Sequence, residues 1–102
     1  MTFRVTEDEK SATVFLTGDI DIERSPEARA ALLAILKKGR PLIVDLAGVN
    51  YMDSSGVASL VEAYQRAHTA KLDFSLTRVS GQVLKVLKLA RLDTIFTILS
   101  TA

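Results

Sequence analysis

The sequence of 102 residues contains no cysteine and no tryptophan, a single histidine and few aromatic residues. Without cysteine there is no disulfide, no thiol nucleophile and no cysteine-ligated metal site. The one histidine, His68, excludes a metal site built from several histidines. No apolar run approaches the length of a membrane span, and the N-terminus lacks a basic-then-apolar signal pattern. We therefore expect a cytoplasmic protein without membrane insertion.

An excess of one charge is also missing, because the formal net charge is +1. This balance provides no general attraction to nucleic acid or to acidic lipid. The hydrophobic content of 48% and the charged content of 25% are typical of a globular chain. At this length we expect a single domain over residues 1–102 that buries a core of its own.

The first part of the chain predicts a hairpin followed by a helix. Residues 3–6 and 12–17 alternate apolar and polar side chains, as strands do, and residues 18–21 have the turn chemistry that would end the second strand. Ser25 is placed as the N-cap of a helix and Pro26 at its first helical position.

The second part predicts alternating strands and helices. Short apolar or alternating runs at residues 42–46 and 74–77 indicate strands, and helical spacing begins after Asp53 and after Ser80. Residues 95–99 fit either a last strand or a helical turn. The order predicts an α/β fold with a mixed sheet of four to five strands flanked by helices. Because residues 42–46 are apolar on both faces, we place that strand centrally.

One corner of this fold gathers polar groups at a helix start. A brief connection after the central strand leads into Asp53, Ser54, Ser55 and Gly56. Asp and Ser are common at helix starts because their oxygens accept hydrogen bonds from otherwise unpaired backbone N–H groups. Two hydroxyls and a carboxylate are therefore expected at the positive end of a helix dipole.

Catalysis at this corner is not supported by the sequence. A serine hydrolase needs a general base beside its nucleophile, and the Gly-x-Ser-x-Gly pattern of a nucleophile elbow is absent. His68 lies on the same predicted helix, roughly 20 Å from Ser54 at the rise of an α-helix. It therefore cannot serve as the base for that serine.

Ligand and metal sites are equally unsupported. A phosphate-binding loop needs several glycines and a lysine at the helix mouth, and this corner has one glycine and no lysine. Asp19, Asp21 and Asp53 do not have the spacing of a metal cage. We therefore expect no metal and no cofactor.

The cations of the predicted third helix do not indicate nucleic acid. Lys85, Lys88 and Arg91 lie along one side of it, without the aromatic residues that a stacking platform requires. We interpret them as a solvated face, and we expect no direct nucleic-acid partner.

A hydroxyl at a helix N-terminus is the geometry of a regulatory phosphorylation site. A phosphoserine adds about −1.5 to −2 charges at neutral pH. The helix dipole would stabilise that charge by about 0.3–1 kcal/mol, so phosphorylation is not expected to unfold the domain. Its effect would fall on binding, where a misplaced like charge costs several kcal/mol.

The sequence resembles the STAS domains, and in particular the bacterial anti-sigma factor antagonists. The likeness extends over nearly the whole chain, in order and spacing, and its most specific part is the strand, Asp-Ser-Ser-Gly and helix block. The residues that carry it are Leu42-Ile43-Val44-Asp45-Leu46, Asn50-Tyr51-Met52-Asp53-Ser54-Ser55-Gly56, Gly18-Asp19-Ile20-Asp21, and 84–92.

This resemblance implies a binding protein without catalytic activity of its own. In the family, the unphosphorylated antagonist binds an anti-sigma factor that is also a serine kinase, and so releases a sigma factor for transcription. The kinase, which holds the ATP, phosphorylates the serine directly after the Asp and inactivates the antagonist, and a phosphatase restores it. By position that serine is Ser54, flanked by Asp53 and Ser55, with Asp21 at an acidic position beside the same surface.

Helical phase and motif position favour different serines. Extending the phase of Val57, Leu60 and Tyr64 backwards puts Ser55 farther from the core than Ser54. The motif position favours Ser54, which we adopt, with Ser55 as the runner-up. The predicted partner-binding residues are Asp21, Asp53, Ser54, Ser55 and Gly56.

The sequence departs from the family pattern at two places, and the family itself offers an alternative role. Ala58 stands where the family often has glycine, and residues 22–26 differ from the small, Thr-rich sequence common there. STAS domains also occur as accessory subunits of lipid-transport ABC systems. In that role the serine region would be a docking surface without phosphorylation.

Overall fold

Within residues 2–99, three helices and five strands follow one another in the predicted order. The computed structural model describes residues 2–99. Its elements are β1 (Thr2–Glu7), β2 (Ala12–Ile20), α1 (Ser25–Lys37), β3 (Leu42–Met52), α2 (Ser54–Thr69), β4 (Phe74–Thr77), α3 (Gly81–Leu89) and β5 (Thr97–Ile98). The prediction of an α/β fold is confirmed, and residues 97–98 form a strand.

The strands form one mixed sheet in the order β1-β2-β3-β4-β5. β1 and β2 are the antiparallel strands of the predicted hairpin, and the remaining neighbours are parallel. Parallel neighbours need a crossover connection, and α1, α2 and α3 each supply one. β3 has two strands on either side, as predicted. Because each helix follows directly on a strand of the parallel part of the sheet, the N-termini of the helices lie at the carboxyl edge of these strands.

The core lies between one face of the sheet and the helices. Alternate residues of the strands are buried, and their neighbours are mostly exposed or half-buried. The buried residues form one cluster with those of the helices, and its largest fully buried members are Leu16, Ile20, Leu32, Leu42, Leu46, Met52, Leu60, Leu76 and Leu87. The opposite face of the sheet has a polar character, with threonines on β1, β2 and β4.

β2 and β3 are both longer than the sequence predicted. Residues 47–52 continue β3, and β2 continues to Ile20. The parallel register shifts twice, so that Leu16 faces two residues of β3 and Asn50 is left without a partner on β2. Each extra residue lengthens the spacing between buried side chains from two to three, as from Leu46 to Val49 to Met52. The prediction of a brief connection here was wrong because these bulges remove the alternation that identifies a strand.

Gly18 and Asp45 accommodate the irregular pairing. Gly18 adopts a φ of 85° at the second register shift, a conformation that glycine adopts without steric cost. The carboxylate of Asp45, which is 5% exposed, accepts a hydrogen bond from the Ala47 N–H at 3.0 Å in the first bulge. It also accepts one from Arg78 Nε at 2.8 Å. The bulged pairing with β2 thereby lets β3 continue to Met52, next to the start of α2.

Within residues 2–99, none of the helices has the length and apolar content that crossing a membrane would require.

Candidate functional site at the start of the second helix

The candidate site lies where β2 and β3 end side by side. Ile20 and Met52 are partners in the register, and the Asp53 N–H donates to the Ile20 carbonyl at 3.3 Å. The chain then enters α2 directly from β3, and Asp21 follows directly from β2. The fold therefore brings Asp21 next to the Asp53–Gly56 corner, two segments that are far apart in the sequence.

Asp53 is the N-cap of α2. Its Oδ1 accepts hydrogen bonds from the Ser55 N–H at 2.9 Å and from the Gly56 N–H at 3.2 Å. Its backbone is extended, as is usual at this position. The two serines follow as the first helical residues, and neither hydroxyl caps the helix. Of the polar residues predicted at this helix start, Asp53 rather than either serine is the cap, and its carboxylate satisfies the N–H groups of Ser55 and Gly56.

Ser54 is exposed and Ser55 is half-buried. Within the described part of the chain, the Ser54 hydroxyl makes no hydrogen bond. The helical phase had predicted the opposite order. The reason is that α2 packs against α1 as well as the sheet, so its buried residues include Ser59, Ala63 and Ala67. Ser55 lies one helical turn before Ser59, on the side of α2 that faces α1.

Ser59 ties this side of α2 to the start of α1. Its hydroxyl lies 3.2 Å from both the Ser55 carbonyl and the Ser25 carbonyl, so it donates to one or shares its proton between them. No role for Ser59 was predicted from the sequence. A serine at a buried helix position, four residues after Ser55, is a signal that could have found this contact.

Gly56 lets the first turn of α2 pack closely on the strand ends. A Cβ on this residue would lie 2.6 Å from Met52 Cγ and 2.7 Å from the Ile20 carbonyl oxygen. Because Gly56 is itself buried, its contribution to the predicted partner surface is to position the helix.

Asp21 organises the loop that enters α1. Its Oδ1 accepts from the N–H groups of Glu23 at 3.1 Å and Arg24 at 3.0 Å, and its Oδ2 lies 3.3 Å from Arg24 Nη1. The predicted cap at Ser25 was wrong, because Arg24 occupies the N-cap position without a side-chain cap and Ser25 is the first helical residue. Asp21 satisfies the N–H of Arg24 from outside the helix.

An ion pair joins α1 and α2 further along. Arg29 Nη2 lies 2.6 Å from Glu62 Oε2, and Arg29 Nε donates to the same oxygen at 2.7 Å. The hydrogen bond from Arg29 lowers the pKa of Glu62, and the same bond raises the pKa of Arg29. The bond therefore favours the charged state of both partners.

Two exposed apolar side chains flank the corner. Ile22 is 73% exposed, directly after Asp21, and Tyr51 is 45% exposed, two residues before Asp53. No role for either side chain was predicted from the sequence. The sequence signal that could have identified them is a large apolar side chain at an unusual place, Ile22 within an acidic loop and Tyr51 near the end of a strand. Buried aromatic and aliphatic groups dominate binding energies at interfaces, so a surface of this kind suits a protein partner.

The site has the groups of a binding surface. His68 lies in the last turn of α2, far from Ser54 as predicted. Among the described residues, no cluster of three or more His, Asp or Glu is placed to hold a metal ion. This rim is acidic because it carries four carboxylates against Arg24: Asp19 near the end of β2, Asp21 and Glu23 in the loop, and Glu27 in the first turn of α1.

The fold and this corner define a STAS domain. The family model described as "Mlab, STAS domain" matches residues 3–100 of the chain. The chain therefore belongs to the STAS domain family, as the resemblance implied.

Relatives of the chain are anti-sigma factor antagonists. An anti-sigma-B factor antagonist of Listeria monocytogenes is 29% identical over 86 residues, which cover 83% of this chain and 75% of that protein. The crystal structure of a putative anti-sigma factor antagonist of Thermotoga maritima superposes with a TM-score of 0.88, at 20% identity, over 98% of this chain and 86% of that one.

A further solved structure is a Bacillus cell fate determinant, SpoIIAA, in its phosphorylated form. It has a TM-score of 0.77 at 18% identity, and the match covers 99% of this chain and 92% of that one. At these identities the solved structures establish the fold.

Proposed function

We propose that this protein is an anti-sigma factor antagonist whose binding is controlled by phosphorylation of Ser54. When unphosphorylated, the corner formed by Asp21, Asp53, Ser54 and Ser55 binds an anti-sigma factor and so releases a sigma factor. The observation that carries the proposal is the exposed Ser54 hydroxyl, which makes no hydrogen bond to a described residue. Ser55, half-buried beside α1, is the less accessible serine.

Phosphorylation at this position would change the surface and leave the fold intact. A phosphate on Ser54 lies at the positive end of α2, which stabilises an anion. On the outside it adds negative charge to a rim that already carries Asp21, Asp53 and Glu23. A partner fitted to the unphosphorylated corner, with Ile22 and Tyr51 as apolar contacts, would lose both its fit and its charge balance.

In this proposal the protein catalyses nothing itself. The anti-sigma factor acts as the serine kinase and holds the ATP, and a separate phosphatase removes the phosphate. The likeness to a protein solved in a phosphorylated form supports a phosphorylated state as part of the cycle.

The test combines the protein with ATP and the anti-sigma kinase encoded nearest to its gene. Mass spectrometry is expected to find one phosphate on the wild type and on Ser55→Ala, and none on Ser54→Ala. Binding to the same partner is expected to be lost in Ser54→Asp and kept in Ser54→Ala. The proposal fails if the wild type is neither phosphorylated nor bound.

The alternative role predicts a different result. An accessory docking subunit of a lipid-transport ABC system would copurify with a transporter ATPase. If that association is unaffected by Ser54→Asp, the corner is a constitutive docking surface, and the proposal of a phosphorylation switch is wrong.

A further inference from the structure

A groove between α1 and α2 has no role in the proposed switch. It has a volume of about 550 Å³ and lies on the outer side of the helix layer. Its floor is formed by small and aliphatic side chains, among them Ala30, Leu33, Ala34 and Ala70. The alanines are exposed and Leu33 is half-buried, so an apolar surface faces solvent here.

Cations surround this apolar floor. Arg29, Lys37 and Arg66 line the groove, and none of its lining residues is acidic. Glu62 neutralises Arg29 from beside the groove. Lys37 and Arg66 make no ion pair with any carboxylate in residues 2–99. Glu62 also attracts Arg66, so this one carboxylate faces two arginines. With Arg29, Lys37 and Arg66 against Glu62, the groove keeps an excess of two positive charges at its edges, in contrast to the acidic rim around Ser54.

The shape of the groove fits a helix. It follows α1 from Arg29 to Lys37, which at the rise of an α-helix is about 12 Å, or roughly two turns. Exposed alanines on both sides allow the backbone of a third helix to approach closely, as ridges pack into grooves. An amphipathic helix that lays its apolar face into such a groove is a recurring mode of peptide recognition.

We propose that this groove binds an acidic amphipathic helix of a partner protein. Leucines spaced three and four residues apart would cover Leu33, Ala34 and Ala70, and carboxylates at the edges of that face would pair with Lys37 and Arg66. The surface is separate from Ser54, so a partner helix can bind there in either phosphorylation state. It allows the protein to be held in an assembly while the switch at Ser54 operates.

The test uses two synthetic helical peptides that share the same leucine spacing, one with glutamate and one with lysine at all other surface positions. Each is titrated into the full chain and followed by amide and methyl NMR and by fluorescence anisotropy. The acidic peptide is expected to bind and to shift the signals of Leu33, Ala34 and Ala70, while the basic peptide does not bind. Absence of binding, equal binding of both peptides, or shifts confined to other surfaces would overturn the proposal.

Matched variants test the two components of recognition separately. Arg66→Glu is expected to weaken binding of the acidic peptide about tenfold or more. Lys85→Glu makes the same charge change on the exposed side of α3 and is expected to leave that binding unchanged. Ala34→Leu fills the groove and should abolish binding, whereas Ala58→Leu on the exposed side of α2 should not. Unfolding curves of all four variants show whether each is folded.

A lipid surface is the competing occupant. Vesicles of phosphatidylcholine with phosphatidylglycerol are sedimented with the wild type and with Arg66→Glu. If the wild type sediments with them and Arg66→Glu does not, the groove recognises an anionic membrane and the helix proposal is wrong.

Discussion

Gly56 and Gly81 both lie in the first turn of a helix, but only Gly56 is in close contact with other elements. An added Cβ at Gly56 would meet Met52 and the Ile20 carbonyl at well under 3 Å, whereas Gly81 has nothing within 4 Å. We expect Gly56→Ala to lower the free energy of unfolding by about 1–3 kcal/mol, because the helix start must move away from the strand ends.

Gly81→Ala is the control for this prediction. It is expected to be neutral or to stabilise by up to about 1 kcal/mol, since alanine loses less backbone entropy on folding. Urea unfolding measures both variants. Equal stability of the two would show that the close contact at Gly56 is relieved without cost.

The ion pair between Arg29 and Glu62 predicts a pH dependence. Its bond lowers the pKa of Glu62 below the ordinary value of 4.5, so the folded state binds this proton less readily than the unfolded state. The stabilisation is therefore present above 4.5 and is lost as the pH falls through the lowered pKa. We expect the stability difference between wild type and Glu62→Gln to be largest near neutral pH and to shrink in acid.

Urea unfolding at a series of pH values measures this difference. Glu9→Gln, a change of the same type in the exposed β1–β2 turn, is the control and should show a smaller effect. If the stability difference between the wild type and Glu62→Gln stays constant from neutral to acid pH, the stabilisation does not come from the charge of Glu62.

At the scale of elements, two helices end on residues in a left-handed conformation without glycine. Lys71 follows α2 with a φ of 59°, and Arg91 follows α3 with a φ of 58°. In both helices, the backbone N–H of the next residue donates a hydrogen bond back to a carbonyl of the last turn, as the Leu72 N–H does to the Ala67 carbonyl at 2.9 Å. For residues with a Cβ, this backbone conformation has a steric cost of about 1–2 kcal/mol.

We expect Lys71→Gly to raise the free energy of unfolding by up to about 1 kcal/mol, part of the strain relief being offset by the unfolded-state entropy of glycine. Lys88→Gly, the same substitution within α3, should instead destabilise by about 1 kcal/mol. Thermal and urea unfolding compare the two. A loss of stability in Lys71→Gly would show that its side chain contributes more than its backbone strain costs.

The dipole of α2 makes a separate prediction for Ser54. A carboxylate at this first helical position should stabilise the fold by about 0.3–1 kcal/mol, and a cation there should destabilise it by a similar amount. Ser54→Asp is therefore expected to melt at or slightly above the wild-type temperature, and Ser54→Lys below it. Circular dichroism measures both, and added salt should reduce the difference. Loss of the folded signal in Ser54→Asp would contradict the view that a phosphate there spares the fold.

At the scale of the whole molecule, the sheet predicts where local opening occurs. β3 is central, has eleven residues and is flanked by paired strands, whereas β5 has two residues at an edge and is only half-buried at Ile98. Hydrogen exchange should be slowest for amides of β3 and faster by orders of magnitude in β5, since edge segments open without global unfolding. Protection of the Ile98 amide equal to that of Val44 would show that β5 opens only with the core.

Local pattern in the sequence was sufficient for most of the fold. The hairpin, the strand–helix order, the central place of β3 and the helix start after Asp53 all follow from short-range periodicity and capping chemistry. These features are local because a residue's face and its capping bonds involve neighbours within a few positions. The grouping of Asp53, Ser54 and Ser55 needed no more than their adjacency in the chain.

The tertiary structure decided the features that depend on contacts between distant segments. The bulges of β3 arise from its pairing with β2, so residues 47–52 could not be identified as strand from their own alternation. Ser54 is the more exposed serine because α1 covers the side of α2 that carries Ser55 and Ser59. Asp21, Ile22 and Tyr51 meet at the same corner, and the cations Lys37 and Arg66 at the same groove, only because the parallel crossovers bring their elements together. Such contacts have no local signature, since they join residues about 30 positions apart by a geometry that only the packed sheet and helices define.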